Sequence, residues 1–206
     1  MTEAVNILTD TAADGMNAVI ARRIAVLRKG RNLSFDELAA RCGVSKGMLV
    51  QIEQGRANPS IATLCRVAAG LRVSVAELVA AGEAADAPVR LIAPGQARRL
   101  WHGPKGGSAS LLVGSDGPDM LELWTWEIQP GERYEAQAHP ADTQELIHVT
   151  DGTLALEVDG TIHLVEPGGS AFARTDRSHA YACAGPEPVR FTMAVAEWSH
   201  PRSGRR

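Results

Sequence analysis

The sequence has no long apolar stretch and no export signal. Of its 206 residues 45% are hydrophobic, yet no apolar run approaches the ~20 residues that a membrane-spanning helix needs. The first residues, Met1 to Asp14, have neither the basic start nor the apolar core of a secretory leader. These absences predict a cytoplasmic protein without a membrane partner. The length allows either two compact domains or one large one.

Cysteine is also scarce. Cys42, Cys65 and Cys183 are odd in number and far apart in the chain, which leaves neither a disulfide framework nor a cysteine-based zinc motif. We expect all three to be buried structural thiols.

Charge is unevenly distributed. Residues 17–80 hold ten Lys and Arg against four Asp and Glu, a net charge of +6, whereas the whole chain has −3 and the remainder therefore −9. A basic head joined to an acidic body suits a protein whose head binds a polyanion such as nucleic acid.

Apolar residues recur at helical spacing from Ala18 to Leu78. Ser34, Ser45 and Ser74 stand at positions typical of helix N-caps, Pro59-Ser60 opens another helix, and Gly43 and Gly55 stand where helices end. These signals predict a bundle of five helices. The expected division is a flexible segment over 1–16, the helical domain over 17–80, a linker over 81–95, a second domain over 96–200 and a flexible tail over 201–206.

After Gln96 the apolar period changes to two, and Gly and Pro turns recur at regular intervals. Strands are predicted over 121–128, 145–150, 154–158, 161–165 and 189–195. Short strands spaced in this way favour a closed antiparallel barrel or a jelly roll. The predicted fold class is therefore an all-α domain followed by an all-β domain.

Residues 34–78 carry several motifs without an intervening gap. They are Gly43-Val44-Ser45 between two helices, Gln51-Ile52-Glu53-Gln54-Gly55 at the end of the second helix, and Asn58-Pro59-Ser60 before the next. With these motifs the segment closely resembles the lambda-repressor-like helix-turn-helix family, also called the xenobiotic-response-element (XRE) family. The resemblance implies a DNA-binding transcription regulator.

The helix that begins at Ser45 can lie in the ~12 Å wide major groove of DNA. Lys46 and Gln51 are the predicted base readers, because Lys donates to guanine and Gln can pair with adenine, and Gly47 lets the backbone approach the bases. The resemblance adds four phosphate contacts, Ser34, Ser45, Arg56 and Asn58, and a structural ion pair between Arg28 and Glu53. Cys42, Met48, Leu49 and Ile52 are expected in the core.

Two further motifs lie in the β region. Gly131, Gln137-Ala138-His139, Glu145 and Gly152 form the first, and Pro167-Gly168-Gly169 followed by His179 forms the second. With them, residues 121–195 resemble the cupin superfamily of small jelly-roll barrels. The sequence departs from the metal-binding cupin pattern at Gln137, where most members have histidine, and at Cys183, where asparagine is frequent.

The cupin resemblance points to Gln137, His139, Glu145 and His179 as a cluster inside the barrel. On a strand, Gln137 and His139 would face the same side. Two imidazoles, a carboxylate and an amide oxygen suit zinc, iron, nickel or manganese. The alternative is a barrel without metal, in which the same groups bind an organic effector by hydrogen bonds. Further candidates for the pocket lining are Trp124, Trp126, Tyr134, Phe172, Arg174 and Tyr181, whereas surface or interface roles are expected for His102, His148, His163 and His200.

Two functions remain open. The favoured one is a regulator that binds double-stranded DNA at an inverted repeat as a homodimer and responds to a small-molecule effector in its cupin domain. The alternative is a metal-dependent cupin enzyme, such as a dioxygenase, isomerase or lyase, with an accessory helix-turn-helix domain. The incomplete histidine set favours a binding protein over an enzyme.

Overall fold

The computed structural model describes residues 4–79, 88–117 and 119–198, with side chains from Asn17 onward. It divides into two compact units, residues 1–86 and 87–206, and this division falls within the predicted linker. The predicted tail over 201–206 lies outside the described residues. Among the described residues, we find no helix with both the length and the apolar character needed to cross a membrane.

The first unit contains five helices in its described part, as predicted. They are α1 (Ala4–Gly30), α2 (Phe35–Cys42), α3 (Lys46–Glu53), α4 (Ile61–Leu71) and α5 (Val75–Val79). The structure differs at the start, because α1 begins at Ala4 although residues 1–16 were expected to be flexible. That stretch contains no proline and a single glycine, Gly15, so no helix-breaking proline separates it from the periodic segment that follows.

The predicted helix boundaries are confirmed by cap geometry. The hydroxyls of Ser34, Ser45 and Ser60 each accept a hydrogen bond from the backbone N–H three residues later. Gly43 ends α2 in the left-handed region at φ 62°, where a side chain would be strained. Within the core, Leu38, Leu49, Ile52, Leu64 and Leu71 are almost fully buried.

The second unit contains ten strands in two antiparallel sheets within its described residues. The strands are β1 (Arg98–His102), β2 (Ser108–Gly114), β3 (Met120–Ile128), β4 (Arg133–Ala136), β5 (Gln144–Asp151), β6 (Leu154–Val158), β7 (Thr161–Val165), β8 (Ser170–Arg174), β9 (His179–Cys183) and β10 (Val189–Glu197). The six-stranded sheet has the order β1-β2-β3-β10-β5-β8, and the four-stranded sheet has the order β4-β9-β6-β7. All five predicted strands are present.

Aromatic side chains join the two sheets. Along β3 every second residue is buried, which directs Trp124 and Trp126 into the interior. The ring of Trp126 lies 5.0 Å from Tyr134 and 5.4 Å from Tyr181, both on the four-stranded sheet, and 5.8 Å from Phe191. Trp124, Trp126 and Tyr181 therefore belong to the core.

Gly152 occupies the tight turn between β5 and β6. Its φ is +65°, and a Cβ atom added there would lie 2.5 Å from the carbonyl oxygen of Pro188. Both the backbone conformation and the space therefore require glycine at the last position of the first cupin motif. None of the three cysteines is in a disulfide, but only Cys42 is buried, and Cys65 and Cys183 are half-buried. The expectation of three buried thiols was wrong for these two, since Cys183 lies near the end of β9, where its Sγ donates to the carbonyl of Glu187 at 3.0 Å.

Candidate functional site

One candidate site is the exposed face of α3. Lys46, Gly47 and Gln51 point to solvent, whereas Leu49 and Ile52 are 0% and 1% exposed. Met48, expected in the core, is 43% exposed. It lies ~100° around the helix from Leu49 and so falls at the edge of the inward stripe, where no neighbour covers it fully. The two predicted base readers therefore share an accessible surface with Gly47 and Met48.

The four predicted phosphate contacts, Ser34, Ser45, Arg56 and Asn58, are also exposed. The hydroxyls of Ser34 and Ser45 already act as helix caps, and the Ser34 hydroxyl lies 2.8 Å from the carboxylate of Glu37, to which it donates. Their contact with DNA stays a prediction. Ser34 and Ser45 lie at helix starts, where backbone N–H groups also favour phosphate, whereas Arg56 and Asn58 lie in the loop between α3 and α4.

Lys46 has a partner in the free protein. Its Nζ lies 2.8 Å from Oδ2 of Asp36 in the first turn of α2, and both side chains are more than half exposed. The carboxylate competes with any base for this ammonium group. Contact between Lys46 and DNA therefore requires the ion pair to open.

The predicted ion pair of Arg28 and Glu53 is confirmed. Arg28 donates to both carboxylate oxygens, at 2.6 and 2.9 Å, and to the carbonyl of Leu33 at 2.8 Å. The hydrogen bond to Glu53 raises the pKa of Arg28 against the effect of burial. The guanidinium also lies 4.0 Å from the ring centre of Phe35, a cation–π contact that the sequence pattern did not predict. Arg28 thus connects α1, the start of α2 and the end of α3.

The second candidate site is a cluster of His139, Glu145 and His179, whose ligand atoms all lie within 4.8 Å of one another. Nε2 of each histidine approaches Oε1 of Glu145, at 3.8 Å from His139 and 3.9 Å from His179. Tyr181 donates from its hydroxyl to the other carboxylate oxygen, Oε2. Glu145 comes from the inward face of β5 and His179 from the first position of β9.

The hydrogen bonds define how His179 presents its ring. Nδ1 lies 2.8 Å from the backbone carbonyl of Arg177 and must donate to it, so in the neutral ring Nε2 carries a lone pair. Nε2 of His179 and Oε1 of Glu145 are buried and have no hydrogen-bond partner. Burial, with a smaller contribution from the charge of His179, lowers the pKa of His139 to about 4. Burial raises the pKa of Glu145.

Gln137 is placed differently from the prediction. β4 ends at Ala136, so Gln137 and His139 lie in the loop that leads to Pro140 and not on a strand. The strand argument for their common orientation was therefore wrong, and Gln137 is exposed whereas the side chain of His139 is 19% exposed. Its role as a ligand stays a prediction.

A cavity of about 430 Å³ lies beside the cluster. Residues of β6, β7 and β8 line it, among them Phe172 and Arg174. Two other lining residues are strand neighbours of the cluster. Ala173 is paired with Glu145 across β8 and β5, and Val158 is paired with His179 across β6 and β9. Arg174 is half exposed and forms ion pairs with Asp142 at 3.6 Å and Asp176 at 3.9 Å. Tyr134, the other predicted effector residue, packs in the aromatic core.

Three of the four remaining histidines are exposed, as the sequence suggested. His102, His148 and His163 are exposed, with Nδ1 of His148 3.0 Å from the hydroxyl of Ser170, and His163 lines the cavity. His200 lies outside the described residues.

Several acids of the β unit were missed by the sequence reasoning, among them the buried Glu122 and the half-buried Glu197. Glu122 is 2% exposed and accepts a hydrogen bond from the indole N–H of Trp124 at 3.1 Å. Burial and the charge of Glu122 raise the pKa of Glu197 to about 7. A signal for Glu122 existed, because it is in phase with Trp124, Trp126 and Ile128 along β3.

Comparisons with known proteins agree with this division. The helix-turn-helix family model matches residues 24–78, and the cupin domain model matches residues 124–195. HTH-type transcriptional regulator SutR of Escherichia coli (strain K12) is 29% identical over 177 residues, which cover 86% of this chain and 92% of that protein. HTH-type transcriptional regulator y4dJ of Sinorhizobium fredii is 39% identical over 64 residues, covering 31% of this chain and 83% of that protein. The crystal structure of an HTH_3 family transcriptional regulator from Vibrio cholerae matches with a TM-score of 0.71 and 28% identity, covering 90% of this chain and 99% of that one.

Proposed function

The chain belongs to the HTH-type transcriptional regulators of the XRE family that carry a cupin domain, and we propose that α3 reads DNA bases while the β unit binds an effector. The protein is a DNA-binding regulator. We also propose which residues contact DNA, where the effector binds, that the two sheets form a jelly roll, and that a homodimer binds an inverted repeat.

The exposed face of α3 is the observation that carries the proposed DNA interface. Leu49 and Ile52 anchor the helix in the core, while the side chains of Lys46 and Gln51 are exposed. A helix held in this way can enter the major groove and present Gln51 to the N6 and N7 positions of adenine. Arg56 would grip phosphate and contribute equally on every sequence.

A selection of binding sites from random duplexes tests this interface. Gln51→Ala should lose discrimination at one base pair per half-site, at a cost of about 1–3 kcal/mol there. Arg56→Ala should weaken binding to all duplexes alike and reduce its salt dependence. Gln54→Ala, at an exposed position just after α3, is the matched control. Unchanged specificity in Gln51→Ala would contradict the proposed placement of α3.

For the β unit we propose a divalent metal held by His139, Glu145 and His179. Support comes from the two buried atoms without partners, Nε2 of His179 and Oε1 of Glu145, and from a low pKa that leaves His139 neutral, as a ligand must be. Two imidazoles and one carboxylate suit zinc, iron, nickel or manganese. A bound ion would supply an open coordination position for a polar group of the effector. The cavity beside the cluster would then hold the effector's body, with Arg174 at its edge.

Titration calorimetry with Zn²⁺ and Mn²⁺ tests the metal site. Wild type should bind one ion per chain and release protons, and His179→Ala should lose most of this affinity. His148→Ala removes an exposed imidazole and should bind like wild type. Equal binding by wild type and His179→Ala would contradict the site. The same histidine and carboxylate set could also support catalysis, so consumption of a ligand by the loaded protein would favour the enzyme alternative.

A further inference from the structure

The outer face of the six-stranded sheet carries an unbroken row of apolar side chains. Val113, Leu123, Ala194, Leu146 and Phe172 are successive register partners across β2, β3, β10, β5 and β8. We call these five residues the outer row. The four large ones are 36–61% exposed, with Leu146 at 61% and Phe172 at 59%. Leu121, 60% exposed, and its partner Ala196 extend the row along the strands.

Such a row departs from the usual pattern of a sheet that faces water. Isolated exposed leucines are common, but contiguous apolar surface of several hundred Å² marks an interaction site. Neighbouring side chains across a sheet lie about 5 Å apart, so the outer row forms one continuous surface. A polar row of Ser110, Thr125, Thr192, His148 and Ser170 runs beside it, also in register. An apolar centre with a polar border is the composition of a protein interface.

We propose that this face is the dimer interface, occupied by the same face of a second copy of the chain. The proposal rests on the proposed function, because a regulator that binds an inverted repeat needs two α3 helices related by a two-fold axis. An uncharged row is complementary to itself when a two-fold axis brings it against its copy.

The charged residues around the outer row also favour a second copy of the chain as the partner. Arg190 is paired with Glu127 at 3.0 Å, and Arg174 is paired with Asp142 and Asp176. These cations are already neutralised within the chain, so they do not call for a partner of opposite charge. Five strands and about seven residues along each give a face on the order of 600 Å². That is comparable with the ~800 Å² that each partner contributes to a stable interface.

Sedimentation of the full chain over a range of concentrations tests the interface. Leu146→Asp puts a carboxylate within the outer row and should raise the dimer dissociation constant ~30-fold or more, equivalent to about 2 kcal/mol. Leu123→Asp, on a different strand, should act in the same direction. Leu164→Asp is the matched control, since Leu164 is 62% exposed on β7 of the other sheet and should dimerise like wild type.

The DNA readout separates the two proposals. The Leu146→Asp chain should still bind a single half-site like wild type, while its tighter binding to an inverted repeat disappears. The proposed interface would be overturned if Leu146→Asp and Leu123→Asp dimerised over the same concentration range as wild type. It would also be overturned if Leu164→Asp dissociated as much as these two variants, or if wild type were a monomer. If wild type is a dimer that binds no DNA and Leu146→Asp is a monomer, the result supports the interface and contradicts the proposed function.

Discussion

Arg28 shows how one side chain can organise a unit with few polar contacts in its core. Its guanidinium contacts Glu53, the carbonyl of Leu33 and the ring of Phe35, so it touches the ends of three helices. The side chains of Arg28 and Glu53 are 11% and 8% exposed, which protects the pair from screening by salt. Removing one partner leaves the other nearly buried and unpaired.

We expect Glu53→Gln and Arg28→Lys each to lower the free energy of unfolding of the helical unit by about 2–3 kcal/mol. Helix content followed by circular dichroism during heating measures this effect. All four tryptophans lie in the β unit, so the transition seen by tryptophan fluorescence should not move and provides an internal control. A loss below about 0.5 kcal/mol would show that the pair behaves as an ordinary surface contact.

Glu197 predicts a dependence of stability on pH. Its pKa is about 7 in the folded protein and 4.5 for the ordinary residue, so between these values the folded state binds the proton that the unfolded state has released. The stability of the β unit should therefore fall as pH rises from 4.5 to 7, by roughly 1–3 kcal/mol in total. Glu197→Gln should remove this loss and make the variant more stable than wild type above pH 7.

Tryptophan fluorescence during unfolding in urea at pH 5 and pH 8 checks the prediction. The variant and wild type should differ little at pH 5 and clearly at pH 8. Glu187→Gln, at an exposed acid of the same unit, should keep the wild-type profile. The prediction fails if Glu197→Gln is no more stable at pH 8.

At the scale of single residues, the sequence was informative where the cause is local. The capping serines and Gly43 follow from interactions within one turn of chain, and the structure shows them as predicted. Exposure of Met48 and burial of Glu122 depend on which neighbours cover them, and those neighbours come from other elements. Gln137 was misplaced because the end of β4 is set by pairing with β9.

At the scale of elements, an exposed ion pair between α2 and α3 is expected to oppose DNA binding. The carboxylate of Asp36 holds Lys46 and lies near the surface where phosphates would approach. Exposed ion pairs contribute about 0–1 kcal/mol, so the effect is small.

Asp36→Asn should therefore raise affinity for specific and nonspecific duplexes by up to about fivefold, because Lys46 is released and a negative charge is removed. Fluorescence anisotropy with both duplexes at two salt concentrations measures the gain. Asp159→Asn, an exposed acid of the β unit, is the control. Weaker DNA binding by Asp36→Asn would contradict the competition between the carboxylate and DNA.

Strands were predictable to the extent that they are apolar and alternating. β3, β5 and β10 carry long alternating patterns, and the short β6 and β7 are rich in Leu, Ile and Val. In contrast, β1, β4, β8 and β9 contain no Val, Ile or Thr, and β2 begins with Ser and Ala. These short strands become strands because a neighbour supplies hydrogen bonds, as β5 does for β8. The missed strands include β9, which carries His179, so the cupin motif identified His179 as a candidate although its strand was not predicted.

At the scale of the whole molecule, the proposed DNA-binding residues and the proposed effector site lie in separate units. Residues 17–80 carry the net charge of +6, and the proposed metal ligands all lie in the other unit. Regulation then requires that the effector bind with different affinity in the DNA-bound and free states.

A double variant, His139→Ala with His179→Ala, should therefore keep the wild-type affinity for operator DNA in the absence of added metal. Adding the ion that wild type binds should change operator affinity by about 5-fold or more in wild type and leave the variant unaffected. Operator titrations with and without the ion, after a check of folding by tryptophan fluorescence, measure both quantities. An equal response in the variant would move the sensing site away from the cluster.

Arg177 lines the cavity and also accepts a hydrogen bond from a histidine of the cluster. Its guanidinium lies at the cavity and pairs with Asp159 and Asp176, while its backbone carbonyl receives the N–H of His179. A molecule that displaced the Arg177 side chain would act on the same residue whose carbonyl accepts the hydrogen bond from Nδ1 of His179. Filling of the cavity is therefore expected to change the orientation of the His179 ring, whose other nitrogen faces the carboxylate of Glu145.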